Sequence, residues 1–141
     1  MREFVEEIFD VIRLEREISV KIADDIELQV LDPLVSGPET VDLGRELSIE
    51  EGYRAARICG LSVLATLRDA LGSLDKIKRI VAVTGYVSAT DDFKDHPKVL
   101  NGASDLFVEI FGEQGRQART AVGVSSLPLG LAVEIEVIVE C

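Results

Sequence analysis

Two charged residues in the last third of the chain, Arg119 and Glu134, have the types and positions to act on a small acidic molecule. Arg119 lies near the start of a small, apolar segment at 118–124. Its planar guanidinium group suits a carboxylate, and a strand would hold it rigidly. Glu134 lies in an alternating segment and could position a water molecule. Spacing alone favours plainer roles, with Arg119 paired to a surface glutamate and Glu134 on the solvent-facing side.

The other reactive side chains form no recognisable catalytic or metal-binding set. The single histidine, His96, stands in a polar stretch beside Pro97 and is expected to be a solvated loop residue. Cys59 falls on the apolar stripe of a predicted helix, which favours core packing, and the reactivity of Cys141 depends on its exposure. One histidine and two distant cysteines lack zinc or iron spacing, and no glycine-rich phosphate loop follows a strand. We therefore expect neither a metal nor a nucleotide cofactor.

The clearest predicted element is a helix that begins at Ser48. The sequence Ser48-Ile49-Glu50-Glu51 fits a capping box, in which the serine and Glu51 satisfy each other's backbone N–H groups. Apolar residues then recur at helical spacing, and Gly72 fits a left-handed helix end. The sequence therefore predicts a helix of about 23 residues between these two signals.

The remaining elements are predicted from alternation and turn signals. An amphipathic helix is expected near 4–12, and two short strands at 18–23 and 26–31 meet at Asp24-Asp25. After the long helix we expect a central strand at 77–87, a loop at 88–98, a helix at 99–111, a strand at 118–124, a turn at 127–130 and an alternating strand at 132–140.

This order of elements predicts an α+β fold, with one sheet and two helices on one of its faces. Such a sheet leaves its other face uncovered. Because the mean hydropathy of the chain is positive, we expect that face to be buried against other copies of the chain.

Composition and charge exclude several classes of protein. A chain of 141 residues that is 47% hydrophobic can form one domain with a buried core. No apolar run approaches the roughly 20 residues that cross a membrane. The net charge of −11 argues against nucleic acid, because its binding relies on contacts between cations and phosphates. Residues 1–17 carry acidic residues where a targeting signal needs basic ones, so the expected location is the cytoplasm.

Four segments stand out by residue type and spacing together. They are GRELSIEEGY at 44–53, VLNGASD at 99–105, QARTAV at 117–122, and LP at 127–128 followed by VEIE at 133–136. Together they resemble the RidA/YjgF family, in particular its endoribonuclease L-PSP/chorismate-mutase-like branch. The resemblance covers about residues 43–141. It implies a divergent N-terminal segment, 1–43, and a RidA/YjgF-like domain, 44–141, that fold as one structural domain.

The resemblance implies a chorismate-mutase-like fold, a single mixed sheet with two helices on one face, that assembles as a trimer with sites between subunits. Active family members hydrolyse imines and enamines such as 2-iminopropanoate and 2-aminoacrylate to 2-oxo acids and ammonia, without a cofactor. Carried over by position, Arg119 would bind the substrate carboxylate and Glu134 would place the attacking water. Backbone groups near Gly85 and Ala121 would contact the substrate, and Asn101 would support the cleft.

The front of the chain departs from the family pattern. No tyrosine precedes Tyr53, whereas family members carry one that lines the site, and Ser36-Gly37 is followed by Pro38 in place of glutamine. Ala121 stands where many members have cysteine. Two classes of function therefore stay open: an imine or enamine deaminase, and a non-catalytic trimer that binds small carboxylates. An endoribonuclease ranks last, because an acidic chain without a metal site or a catalytic histidine lacks the usual means of holding RNA.

Overall fold

A computed structural model describes the backbone of residues 19–22 and 26–31 and the whole of residues 42–141. The described strands and helices are β1 (Ser19–Ile22), β2 (Ile26–Leu31), α1 (Ile49–Leu71), β3 (Arg79–Ser88), α2 (His96–Phe111), β4 (Ala118–Val124) and β5 (Val133–Glu140). The two short N-terminal strands follow the sequence prediction, and the predicted turn at Asp24-Asp25 lies outside the described residues. The predicted helix near 4–12 and the Ser36-Gly37-Pro38 segment lie outside the described residues.

The five described strands form one mixed sheet in the order β1-β2-β5-β3-β4. β4 runs parallel to β3, and the other neighbouring pairs are antiparallel. α1 and α2 pack together and contribute to one apolar core with β3 and β5. The predicted α+β fold, with a single mixed sheet and two helices on one face, is confirmed. No helix in the described parts of the chain has the length and apolar character needed to cross a membrane.

Helix α1 follows its local sequence signals closely. The Ser48 hydroxyl accepts a hydrogen bond from the backbone N–H of Glu51 at 3.3 Å, and the Glu51 carboxylate accepts one from the backbone N–H of Ser48 at 2.9 Å. These two bonds make the predicted capping box. The backbone N–H and the hydroxyl of Ser48 both donate to the Glu51 carboxylate, at 2.9 and 2.7 Å, and they lower its pKa because they stabilise its charged form. Gly72 ends the helix at φ 79°, in the left-handed region expected for it.

Helix α2 is held against α1 by close backbone packing and two polar contacts. A Cβ atom at Gly102 would meet the backbone carbonyl of Tyr53, so only glycine permits this approach. The Tyr53 hydroxyl donates to Asp105 at 2.9 Å, and the guanidinium group of Arg57 donates to Glu109 at 2.6 Å. This packing fixes α2, which in turn positions the polar side chains that face β4.

Helix α2 begins at His96, three residues earlier than the sequence predicted. Pro97 lies in its first turn, where the missing N–H costs no hydrogen bond and the fixed φ favours the helix. The expectation that His96 is a solvated loop residue is therefore wrong. Its ring is half-buried and lies edge-on to Phe93, with ring centroids 5.2 Å apart.

Strand β5 shows the predicted alternation. The residues on its helix-covered side, all at most 1% exposed, are Val133, Ile135, Val137 and Val139. The residues between them lie on the opposite side of the sheet, which we call the open face. The register places Tyr86 of β3 opposite Glu134 and Thr84 opposite Glu136 on this face. The open face is therefore mixed in polarity, whereas the covered side of β5 is apolar.

Candidate active site

Arg119 lies on the helix-covered side of β4, because its ladder partner is the buried Val83. Its Nη1 donates to Oδ1 of Asn101 at 2.6 Å and to Oγ of Ser104 at 3.2 Å. These two acceptors lie three residues apart on α2 and so face the same way. The side-chain amide of Gln117 also donates to the Ser104 hydroxyl, at 2.7 Å. The position of the guanidinium group is thus set by α2.

The guanidinium group of Arg119 is exposed and bonded only to neutral oxygens in the part of the chain that the structure describes. Its Nε and Nη2, which form the fork that suits a carboxylate, have no described partner. The expected pairing with a surface glutamate is therefore wrong. The turn of α2 that faces Arg119 presents Asn101 and Ser104 at this point, so the nearest acceptors carry no charge.

The backbone of β4 leaves donors and acceptors on the side away from β3. The carbonyl of Val124 accepts from the N–H of Ala89 at 3.1 Å, which shows that Val124 faces β3. Backbone groups alternate in direction along a strand, so those of Arg119, Ala121 and Gly123 point towards the outer edge. β4 is the last strand of the described sheet on this side. The backbone of Ala121 is therefore available beside the Arg119 side chain.

His96 lies against the other end of β4. A Cβ atom at Gly123 would meet Nε2 of the His96 ring, so a side chain there would displace the ring. No hydrogen bond to either ring nitrogen occurs among residues 42–141. We call these neighbouring residues of β4 and α2 the edge site: Arg119, Ala121, Gly123, His96 and Asn101. Sequence reasoning did not include His96 or Gly123, although a glycine inside a strand is a signal of close approach.

Glu134 lies on the open face of β5 and is only 6% exposed. Its side chain makes no hydrogen bond or ion pair with another residue of the described segments. Burial disfavours the charged form and raises the pKa of this carboxyl group. The expected solvent-facing role is therefore wrong, because this carboxyl group is buried although it lies on the open face. Such a carboxyl group is suited to holding and releasing a proton.

The structure brings Arg119, Asn101 and Ala121 together, but within one chain it separates them from Glu134. Arg119 and Glu134 lie on opposite sides of the sheet. β3 runs between their strands, and the register offsets the two residues by three positions along the strands, so their backbones are about 14 Å apart. Gly85 lies in the middle of β3, where its backbone takes part in the strand ladders. A Cβ there would come within 2.5 Å of Leu100, which indicates a packing role.

Neither cysteine forms a disulfide, and the two have different surroundings. Cys59 is fully buried and its sulfur lies 3.7 Å from the carbonyl oxygen of Val133, so the predicted core role is confirmed. Cys141 is exposed. Within the described ranges, no three His, Cys, Asp or Glu side chains are grouped so as to hold a metal ion.

Comparisons with known proteins place this arrangement in a family. Residues 37–140 match the family described as YjgF/chorismate mutase-like, putative endoribonuclease. Protein TCP17 of Trypanosoma cruzi is 47% identical over 107 residues, which cover 75% of this chain and 67% of that protein.

Two solved structures resemble the whole chain. Protein Atu1372 of Agrobacterium tumefaciens, of unknown function, is 32% identical with a TM-score of 0.80, and the match covers 99% of this chain and 98% of that one. A putative endoribonuclease from Shewanella oneidensis is 29% identical with a TM-score of 0.81, over 97% and 99% of the two chains. Together with the motifs and the fold of the chain, these matches show that it belongs to the YjgF/RidA family.

Proposed function

We propose that the protein is a cofactor-independent deaminase that hydrolyses imines or enamines of small amino acids, such as 2-iminopropanoate and 2-aminoacrylate. The observation that carries this proposal is the state of Arg119. In a chain with net charge −11, its guanidinium group is exposed, positioned by two neutral oxygens, and without a described carboxylate on its Nε and Nη2. A positioned, unneutralised cation on a strand supports binding of a ligand carboxylate.

The chemistry requires orientation and a poised water more than a strong nucleophile. Water adds to the imine carbon as a proton passes to the imine nitrogen, and the resulting carbinolamine expels ammonia to leave the 2-oxo acid. Arg119 would hold the carboxylate, and the outward backbone groups at Ala121 would contact the imine nitrogen. Glu134 would take a proton from the water, and its raised pKa makes it a stronger base than an ordinary carboxylate.

The site would be completed by a second copy of the chain. Arg119 and Glu134 of one chain lie on opposite sides of its sheet, so one small ligand can contact both only if they come from different chains. A repeating contact of the β4 edge with the open face of the next copy would give one such site per chain in a closed ring. We expect a trimer, with three times the 15.4 kDa mass of the chain by light scattering.

A trimer that only binds small carboxylates is the second candidate, because the Arg119 geometry supports binding whether or not a reaction follows. Glu134 is buried without a partner among the described residues, and this favours the deaminase, since a simple binder gains nothing from burying a carboxyl group at a cost in free energy. The endoribonuclease named for some relatives is the weakest candidate. A net charge of −11 opposes the phosphate contacts on which RNA binding depends.

An assay with enzymatically generated 2-aminoacrylate tests the proposal, by following loss of the imine with and without the protein. Arg119→Lys keeps the charge but loses the planar fork, so turnover and 2-oxo acid affinity should each fall at least about tenfold. Arg116→Lys is the matched control, since Arg116 is exposed and pairs with Glu113 at 3.0 Å. Unchanged binding and turnover in Arg119→Lys would refute the assignment. Arg119-dependent binding without any hydrolysis would establish the binder instead.

Mixing two variants with reduced turnover tests the shared site. When Arg119→Lys and Glu134→Gln chains are co-refolded in equal amounts, random assembly should give about a quarter of the sites an intact Arg119 and an intact Glu134. Activity should return in that proportion. If both residues of a site came from one chain, no intact site could form and mixing would restore nothing.

A further inference from the structure

The edge site has a second polar end, which the proposed reaction does not use. Arg119 lies at one end and His96 at the other, with the small side chain of Ala121 on the same side of β4 between them. Along α2, five residues separate His96 from Asn101, a rise of about 7.5 Å. Along β4, four residues separate Arg119 from Gly123, or about 13 Å. The guanidinium and imidazole groups are therefore on the order of 10 Å apart.

The His96 ring is positioned and has unused hydrogen-bonding capacity. Phe93 contacts it edge-on, and the absence of a side chain at Gly123 lets it approach the strand. It is half-buried, and neither nitrogen is hydrogen-bonded to another residue that the structure describes. The charged residues next to it in the chain pair with each other, since Lys98 lies 2.9 Å from Asp95. A polar ring held in this way is suited to contact a ligand rather than to stabilise the fold.

We propose that His96 is a specificity-determining residue that binds the far end of the ligand. The preferred ligands would be 2-imino and 2-oxo acids of about five carbons whose side chain ends in a carboxylate or carboxamide oxygen. Of the separation between the guanidinium and imidazole groups, two hydrogen bonds of about 3 Å leave about 4 Å for the ligand itself. A three-carbon acid with an apolar end has no second polar group with which to bind His96. This inference rests on the carboxylate-binding role of Arg119 in the proposed function.

Calorimetric titration of the full chain with three stable 2-oxo acids tests the inference. The acids are 2-oxoglutarate, 2-oxoglutaramate and 2-oxopentanoate, which share a five-carbon skeleton and differ at the far end. The wild type should bind the first two at least about fivefold more tightly than 2-oxopentanoate. His96→Ala should abolish this preference and leave the affinity for 2-oxopentanoate unchanged.

Two further variants control the interpretation. Lys94→Ala removes a nearby exposed cation, whose ammonium group donates to the Asp91 carbonyl at 2.6 Å, and should leave all three affinities unchanged. Gly123→Ala places a methyl group against the imidazole and should abolish the preference, as His96→Ala does. A variant's melting temperature near that of the wild type shows that the fold is intact.

Several results would overturn the inference. These are a wild type with no preference, equal weakening of all three acids in His96→Ala, or no binding of any acid. If only 2-oxoglutarate were preferred and Lys94→Ala removed that preference, general electrostatics and not His96 would select the ligand. A His96-dependent preference in a protein that hydrolyses no imine would support this inference and refute only the deaminase activity.

Discussion

On strand β5, Val133 and Ile135 lie beneath the helices with at most 1% of their surface exposed, whereas Glu134 between them lies on the open face. Both kinds of residue are buried, but with opposite energetic consequences. Removing apolar surface from water stabilises the fold, at about 25 cal/mol per Å². Burying an unpartnered carboxyl group costs free energy and raises its pKa. Strand β5 thus contributes apolar side chains to the core on one side and carries a carboxyl group on the other.

The helix-covered face itself changes character towards the β4 edge. Over β3 and β5 the helices present apolar side chains to the sheet. Over β4, helix α2 presents Asn101 and Ser104, which position the exposed Arg119. The residues of β4 are accordingly mostly exposed, unlike those of β5. Stability and binding are thus separated across the sheet, and substitutions on its two faces should have different consequences.

The largest expected effect is on the covered face. Ile135→Ala should lower the free energy of unfolding by about 2–5 kcal/mol, because Ile135 is fully buried and its truncation leaves a cavity. Denaturant unfolding followed by circular dichroism measures the change. Ile138→Ala, on the open face of the same strand and only half-buried, should cost less than half as much. Equal losses of unfolding free energy in the two variants would contradict the expected energetic difference between the two faces.

On the open face, Glu134→Gln should reduce turnover of the imine about 100-fold, because an amide cannot take a proton from water. Binding of a 2-oxo acid should change little, since the carboxylate contact at Arg119 is untouched. Steady-state assays and calorimetry measure the two effects separately. Glu136→Gln, two residues along the same face, is the matched control and should keep near-wild-type turnover. A comparable loss in both variants would indicate a general effect of charge on this face.

The same substitution should change how stability depends on pH. The raised pKa of Glu134 means that the folded state holds its proton more tightly than the unfolded state, whose carboxyl titrates near 4.5. The Glu134 contribution to stability is therefore present at low pH and is lost as the pH rises through the raised pKa. Glu134→Gln should remove this decline and be more stable than the wild type near pH 8. Denaturation midpoints of the variant and the wild type between pH 4 and 8 measure this difference in stability. Identical pH profiles for the two proteins would contradict the raised pKa of Glu134.

The smallest expected effect concerns the support of Arg119. Asn101→Ala removes the acceptor 2.6 Å from Nη1 and should weaken 2-oxo acid binding about fivefold, because one hydrogen bond contributes about 1 kcal/mol. The Ser104 contact remains, so the guanidinium group keeps part of its positioning. Titration of the variant gives the affinity, with Gln114→Ala as an exposed control. Unchanged affinity in Asn101→Ala would mean that Arg119 needs no support from α2.

Much of the fold could be predicted because its signals are local. The capping box at Ser48, the left-handed Gly72 and the alternation along β5 each depend on residues close in sequence, and each appears as predicted. The α+β fold with two helices over one sheet follows from the order of such elements. The family motifs likewise identified Arg119 and Asn101, which the structure brings within hydrogen-bonding distance.

The remaining features depend on contacts between distant segments, which local patterns do not encode. Local patterns predict most of the described strands and helices and identify side chains that could do chemistry. These patterns do not reveal that Glu134 is buried, that it lies on the opposite side of the sheet from Arg119, or that His96 packs over Gly123. These outcomes arise from the order of the strands and from the packing of α2 against them, so the environment of each group is set by residues far from it in the chain.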